Sequence, residues 1–421
     1  MKIANLIAKT KYQLSSFLGK LQICKPSKRF VTEAVYGITA NQTVHLTKIA
    51  RALQEPIRLI KTVNRLSRGL NREGLWESIT RFVVCQAKDR IEDLTLLVLD
   101  LSDIAKFDAK KMEFLAEVRD GSRHKIGLGY WLLQIVAVSC GQMDLIPLLN
   151  HLWSQNAIGH LSENEEILYC MDLVSNILGR KGIWVIDRGG DRKNLYYPFL
   201  DRGWRFLIRM VGNRNLLYKG STVLALDLAK SCPLLFRKTI DHTNKHGKTE
   251  RLHLEYGFRK VRLPDRPEDL YMIVVTGFGA EPMMLLTNVS GSGLAGDWWW
   301  LVRAYITRWR VEDLLRFVKQ SYKLEDIRLL GYRRLQNMMA LLMLAAYFNM
   351  VILAQDLRMR VCRAGILNLA KRVFGVGEFF FYGIADGLAE LFSKNRVQPF
   401  PKKKKPPKNP IQTALLLRLA T

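Results

Sequence analysis

The sequence predicts an α/β protein in which a helical segment precedes a sheet-containing core. Three observations predict this fold. Residues 94–99 and 182–186 are short apolar runs, typical of buried strands, and each is followed directly by an aspartate. Residues 1–90 have helical patterns of apolar positions, and residues 213–293 contain several partly alternating stretches separated by turn residues.

Composition points to a polyanionic partner. The 421 residues include 65 Lys and Arg against 38 Asp and Glu, which gives a net charge of +27. An excess of this size indicates nucleic acid, with an anionic membrane surface as the alternative. The six cysteines form no C-x2-C pair, and no signal peptide is apparent, so we expect a cytoplasmic protein with reduced thiols.

Residues 1–90 are predicted to form an all-helical DNA-binding domain, because they carry 17 basic against 5 acidic residues. Residues 46–70 contain two short apolar helical faces on either side of a break that ends at Pro56. This pattern predicts a helix-turn-helix, and a basic helical bundle without groove recognition is the alternative. On the first interpretation, four polar residues of the second helix contact phosphates or base edges: Lys61, Asn64, Arg65 and Arg68.

Two aspartates stand at the predicted ends of strands. Asp100 directly follows the first apolar run, and we favour it over the nearby Asp103 for that reason. Asp187 directly follows the second run, and Asp191 comes after it in a glycine-rich turn. Acids at the carboxyl ends of neighbouring strands meet at one edge of a sheet, where α/β proteins place their sites.

Two arginines accompany the second aspartate. Arg188 follows Asp187 directly, and Arg209 lies near the end of the next predicted strand, residues 204–210. Either side chain could approach phosphates or could form an ordinary ion pair at the surface.

Residues 298–323 are predicted to form one amphipathic helix. At 100° per residue, four polar side chains fall within an arc of roughly 60°, and these are Tyr305, Arg308, Glu312 and Lys319. An acid among cations is expected where the acid holds a metal ion and the cations hold phosphates. A solvated helix face with ordinary ion pairs is the alternative.

The spacing of these four residues, Y-x2-R-x3-E-x6-K, resembles the signature of DDE transposases of bacterial insertion sequences, in the cut-and-paste group with a ribonuclease H-like core. The resemblance implies a catalytic core formed by residues 91–212 and 294–360. It implies a β-rich insertion at 213–293, with a hairpin turn at 242–248, and C-terminal helices with a basic tail at 361–421.

The same resemblance implies a function. Asp100, Asp187 and Glu312 would be the catalytic acids and would hold Mg²⁺, with Mn²⁺ as a substitute, as expected for oxygen ligands. Such a protein would cut the terminal inverted repeats of its element and join the 3′-hydroxyls to target DNA, as a homodimer on paired ends. It would act in the bacterial cytoplasm, at the nucleoid.

Two other functions stay open at this point: a ribonuclease H-like nuclease that does not join strands, and a non-catalytic DNA-binding protein derived from a transposase. A membrane protein is not favoured. Residues 338–354 are apolar apart from Asn349, but the run is slightly short for a span, so we predict a buried core helix.

Overall fold

The computed structural model describes residues 2–120, 125–142, 144–243, 249–292, 297–371 and 380–401. Most of the predicted hairpin turn, from residue 244 to 248, lies outside the described residues, and so does the basic tail from residue 402 onward.

The N-terminal segment is helical, as predicted. Its five α-helices are α1 (Ile3–Gly19), α2 (Lys25–Asn41), α3 (Leu46–Ala52), α4 (Leu59–Leu70) and α5 (Leu75–Ala87). Helices α3 and α4 occupy the predicted helix-turn-helix. The second helix begins three residues after Pro56, because Gln54 has a positive φ of 48° and the chain stays irregular up to Leu59.

The core and the insertion supply the strands. They are β1 (Leu96–Ala105), β2 (Ala116–Asp120), β3 (Lys125–Val138), β4 (Leu145–Trp153), β5 (Ile183–Ile186), β6 (Phe206–Arg209), β7 (Asn215–Tyr218), β8 (Ser221–Leu224), β9 (Phe236–Thr243), β10 (Thr249–Val261), β11 (Leu270–Thr276) and β12 (Met283–Thr287). Three helices lie between them: α6 (Glu163–Leu178), α7 (Lys193–Asp201) and α8 (Ala225–Lys230).

Ten of these strands form one mixed sheet in the order β2-β3-β1-β5-β6-β12-β11-β10-β9, with β4 also paired to β3. The pairs β1–β3 and β3–β4 are antiparallel, whereas β1–β5 and β5–β6 are parallel pairs. Helices α6 and α7 make the crossovers that parallel pairing requires. Gly182 precedes β5 with φ +83°, where a Cβ would lie 2.7 Å from the Leu97 Cγ atom of β1.

The predicted β-rich insertion continues the central sheet. Strand β12 pairs antiparallel with β6, and β11, β10 and β9 follow in turn. The hairpin of β7 and β8 forms a separate two-stranded sheet. The strand that carries Arg209 is therefore hydrogen-bonded directly to the insertion.

The chain returns to helices after the insertion. They are α9 (Trp298–Thr307), α10 (Arg310–Ser321), α11 (Tyr332–Tyr347), α12 (Arg360–Leu367) and α13 (Phe380–Ser393). A π-helical segment, Phe348–Leu353, extends α11. The 22 residues Tyr332–Leu353 are long and apolar enough to cross a membrane, but 89% of the most apolar window is buried within the protein. The predicted core helix is confirmed.

Helix α11 joins the N-terminal helices to the sheet. It packs on β4 and on α2, α4 and α5, and apolar residues from all these elements form one continuous core. Polar contacts reinforce the junction. The buried Asn337 amide donates hydrogen bonds of 2.8 Å to the carbonyls of Leu70 and Arg72, and Trp76 Nε1 donates to the Asn150 carbonyl of β4. The helical segment 1–90 thus shares its core with the sheet.

Replacing Asn337 by alanine should lower the free energy of unfolding by about 2–3 kcal/mol, because two carbonyls at a helix end lose their buried donor. Urea denaturation followed by circular dichroism measures the effect. The control is Asn71→Ala, an exposed position for which a change within about 0.5 kcal/mol is expected. Equal stability of the two variants would contradict the role given to Asn337.

Candidate functional site

The two predicted aspartates lie level on neighbouring strands. The prediction that the first strand ends at residue 99 was wrong: β1 continues to Ala105, because β3 pairs with it along its whole length. Its parallel pairing with β5, however, ends at the pair Val98–Val185. Asp100 and Asp187 each lie two residues beyond that pair. Since side chains alternate along a strand, both acids project from the same face of the sheet.

The register extends to a third strand. The last residue pair of β5 and β6 is Ile186–Ile208, so the next step places Arg209 beside Asp187 on the same face. Arg209 is half-buried, whereas Arg188 is exposed in the turn that follows β5. Asp187 Oδ1 accepts a 2.8 Å hydrogen bond from the Gly189 backbone amide, which fixes the carboxylate at the start of that turn.

The single helix predicted over residues 298–323 is two helices, α9 and α10, which meet at Arg308 and Trp309. Hydrogen bonds of the tighter i→i−3 kind form the junction. The amides of Arg308, Val311 and Glu312 donate to the carbonyls of Tyr305, Arg308 and Trp309 at 3.0–3.1 Å. Tyr305 and Arg308 are buried, so the four signature residues do not share one exposed face.

Arg308 is the centre of the site. Its side chain is 8% exposed, and its Nη1 atom lies 3.4 Å from Asp100 Oδ1, while Nη2 lies 3.9 Å from Glu312 Oε1. Its Nε atom is buried and finds no hydrogen-bond partner among the described residues. One guanidinium thus links an acid of the sheet to the acid of α10.

Tyr305 supports this arginine. The prediction that Tyr305 faces DNA needs correction, because its side chain is buried and its ring centroid lies 5.7 Å from the Arg308 Cζ atom. At that distance the ring face stabilises the cation. The role visible in the structure is therefore to position Arg308.

Lys319 lies about two helical turns after Glu312 in α10, beside β1. Its Nζ atom donates to the Asp103 carbonyl at 3.3 Å and lies 3.1 Å from Glu325 Oε1. The side chain is 25% exposed, whereas that of Glu312 is 53% exposed. Of the signature residues, Glu312 and Lys319 are thus the two that remain open to a ligand.

The electrostatics of Asp100 link the three predicted acids. Burial raises the pKa of Asp100 to about 7, Arg308 opposes the rise, and repulsion from Asp187 and Glu312 adds to it. The two other acids act on Asp100 as neighbouring negative charges. The structure therefore gathers Asp100, Asp187 and Glu312 into one electrostatic unit.

A divalent cation fits this unit by its chemistry. The described residues contain no ready-made group of three His, Cys, Asp or Glu side chains at ligand distances. However, the three acids offer oxygen atoms, which hard cations prefer, and Arg308 supplies one positive charge against three negative ones. The pKa of Asp100 is raised first by burial and then by repulsion from the two other acids, and a bound cation would offset both effects.

Asp191 has a different environment from Asp187. Its side chain is 1% exposed, forms a 2.5 Å ion pair with Arg214 Nε, and accepts a 2.7 Å hydrogen bond from the Val211 amide. Tyr196 also donates to it from its hydroxyl. Asp191 therefore fastens the turn after β5 to the start of the insertion.

Three of the four DNA-binding candidates on α4 are exposed, namely Lys61, Asn64 and Arg68. The fourth, Arg65, was predicted to face solvent, and this needs correction. Arg65 Nη2 donates to Glu55 at 2.8 Å and Nη1 is bonded to Glu33, so its charge is neutralised inside the helical segment. Ile60 of the same helix is 59% exposed.

Sequence reasoning missed the polar row that continues from Asp100. Asp100 pairs with Gln134 of β3, and Gln134 pairs with Asn150 of β4. Both side chains are buried, and Gln134 Nε2 donates to Asn150 Oδ1 at 2.8 Å. A lone Gln or Asn within an otherwise apolar strand was the available signal, since such a residue needs a buried partner.

Comparison with known proteins bears on the same residues. Residues 159–348 match the family model of the transposase DDE domain. The match to the transposase DDE domain includes Asp187, Glu312 and the rest of the signature, and it begins after Asp100. What connects Asp100 to the matched residues is therefore its contact with Arg308 in the folded structure.

One solved structure similar to this chain is the cryo-EM structure of a piggyBac transposase synaptic complex with hairpin DNA. The similarity covers 98% of this chain and 82% of that chain, with 9% identity and a TM-score of 0.42. No curated protein sequence matches the chain.

The raised pKa of Asp100 predicts a stability change with pH. Between about pH 4 and pH 7 the folded protein keeps a proton that the unfolded chain has released, so stability contributed by neutral Asp100 is lost as pH rises to about 7. At pH 8, without divalent cations, Asp100→Asn should be more stable than the wild type. We expect about 2 kcal/mol after allowance for solvent screening, and no difference below about pH 4.

Urea denaturation of both proteins between pH 4 and pH 8 measures this difference, with Asp103→Asn as the control on the opposite face of β1. Added Mg²⁺ should then raise the stability of the wild type more than that of Asp100→Asn, because the ion binds the folded site. If the wild type were as stable as Asp100→Asn at pH 8, the raised pKa of Asp100 would be contradicted.

Proposed function

We propose that this protein is a DNA transposase that binds the terminal inverted repeats of a bacterial insertion sequence, cleaves its ends and joins the 3′-hydroxyls to target DNA. One observation carries the proposal. Asp187 and Glu312 lie within the segment that matches the transposase DDE domain, and both act electrostatically on Asp100, level with Asp187 on the next strand. The strand order and the parallel pairs β1–β5 and β5–β6 support a ribonuclease H-like core.

Asp100, Asp187 and Glu312 would hold two divalent ions, Mg²⁺ with Mn²⁺ as a substitute, and bound ions of this kind activate a water or a 3′-hydroxyl and stabilise the leaving oxygen. Arg308 holds Asp100 and Glu312 in place, and Tyr305 holds Arg308. Lys319, Arg209 and Arg188 are the nearby cations that would receive the DNA phosphates.

The remaining parts of the proposal follow from charge and symmetry. The exposed residues Lys61, Asn64 and Arg68 would contact the terminal repeat. Cutting and joining two ends requires two active sites, so the protein would act as a homodimer on paired ends, at the bacterial nucleoid. A nuclease that hydrolyses DNA without joining strands has the same acids, and only a strand-transfer assay separates the two functions.

Glu312→Gln and Asp187→Asn should each lower Mg²⁺-dependent cleavage and joining of labelled terminal DNA by orders of magnitude, because both reactions would use one site. Binding of the same DNA should persist in both variants. A double variant should be barely worse than either single one, since the acids act as a unit.

Asp103→Asn is the matched control, since Asp103 lies on β1 but on the face opposite Asp100. Asp191→Asn is unsuitable as a control, because loss of its buried ion pair would also destabilise the fold. A folded Glu312→Gln protein that cuts terminal DNA at near the wild-type rate would refute the proposed site, and cutting without joining would favour the nuclease.

The complex on paired ends should contain two protein chains. Light scattering of the protein mixed with DNA that carries both terminal repeats measures the mass of the complex, and DNA with a single repeat is the control. One chain bridging two ends would contradict the dimer.

A further inference from the structure

A second basic surface lies beyond the predicted DNA contacts. Two adjacent depressions, of about 1060 and 530 Å³, share Arg328 and form one groove. Three chain segments line it, residues 44–51, residues 105–112 and residues 325–330, together with Lys125 of β3. Among the residues that the structure describes, the lining holds seven Lys and Arg residues against three acids, Asp108, Glu325 and Asp326. The seven cations are Lys48, Arg51, Lys106, Lys110, Lys111, Lys125 and Arg328.

Three of these seven cations have no acid within ion-pair distance in the part of the chain that the structure describes. In the described ranges, no acid forms an ion pair with the exposed Lys48, Arg51 or Arg328. Of the three acids, Glu325 is paired with Lys319, and Asp326 Oδ2 lies 3.9 Å from His45 Nε2. The groove is therefore positive at its open surface.

The pKa of His45 responds to these positive charges. Its pKa is lowered, first by burial and then by Lys48 and Arg328, with a smaller contribution from Lys106, while Asp326 acts in the opposite direction. Cations from all three segments thus act on one imidazole at the same place. An anion bound between them would relieve their mutual repulsion.

The floor of the groove is held rigidly. Lys106 Nζ donates to the carbonyls of Glu325 and Ile327, the latter at 2.9 Å. The Glu113 amide donates to the Leu330 carbonyl at 2.9 Å, and the Glu113 carboxylate accepts from the Tyr332 amide at 2.8 Å. These bonds tie the end of β1 to the segment after α10, so the cations stand on a fixed frame.

The groove connects the helical segment to the catalytic face. Lys319 lies between the groove and the catalytic face, because its Nζ atom contacts Asp103 of β1 and also Glu325. Six residues of extended chain separate Asp100 from Lys106, which is about 20 Å. At about 3.4 Å per base pair along a duplex, that distance corresponds to about six base pairs.

We infer that this groove binds the phosphate backbone of the same duplex DNA whose scissile phosphate lies at Asp100, about six base pairs away. The inference rests on the proposed function for the position of the cut, and on the groove alone for the binding. A concave strip of cations from several chain segments suits a run of phosphates.

The test uses the full-length protein with Lys48, Arg51 and Arg328 all replaced by glutamine. Each lost phosphate contact should reduce the slope of log K against log salt concentration by about 0.9, so up to about 2.7 in total. Affinity at 0.1 M salt should fall on the order of 100-fold. Fluorescence anisotropy with a labelled terminal duplex gives both quantities.

The control variant replaces three other exposed cations, Lys20, Lys88 and Arg360, and thus removes the same charge outside the groove. Its salt slope should stay close to that of the wild type. Hydroxyl-radical footprinting should also show that protection about six base pairs from the cut is lost in the groove variant and kept in the control.

Equal slopes for the groove variant and the wild type would overturn the inference, and so would equal losses in the two variants. These outcomes are independent of catalysis. If the wild type binds DNA through the groove but never cuts it, the proposed function is refuted and DNA binding by the groove is supported. If the wild type cuts DNA and the groove variant binds with an unchanged slope, the groove fails and the function stands.

Discussion

The ion pairs of Arg308 are the interaction on which the site depends. This buried guanidinium contacts Asp100 of β1 and Glu312 of α10, and it does so from the junction between two helices. Without it, Asp100 would lose the cation that opposes its burial and its repulsion from Asp187 and Glu312.

Much of this arrangement could be predicted from residue patterns. Short apolar runs followed by an aspartate predicted the positions of β5 and of the first half of β1, because a continuous apolar run indicates a strand that is buried on both faces. The acid and cations near Glu312 were identified by their spacing alone. The long apolar run of α11 was correctly assigned to the core, since a helix of that composition needs contacts on all sides.

Other features could not be predicted, because they depend on partners distant in sequence. Asp100 lies within a strand and not at its end, since β3 pairs with the residues beyond it. Arg65 faces inward because Glu33 and Glu55, on other parts of the chain, draw it there. The break between α9 and α10 has no proline or glycine to mark it. The groove beside Arg328 is assembled from segments that lie far apart in the sequence, so its combined charge depends on the fold.

The shared core around α11 has a consequence for how such a protein can diversify. Where a recognition domain is joined to a catalytic domain by a flexible linker, recombination can exchange it for another without disturbing the catalytic domain. Here α2, α4 and α5 pack on the same helix that supports β4, so a chimera would have to rematch an entire apolar interface. On the proposed function, new binding preferences would therefore arise by point changes on the exposed side of α4, and not by exchange of whole N-terminal segments.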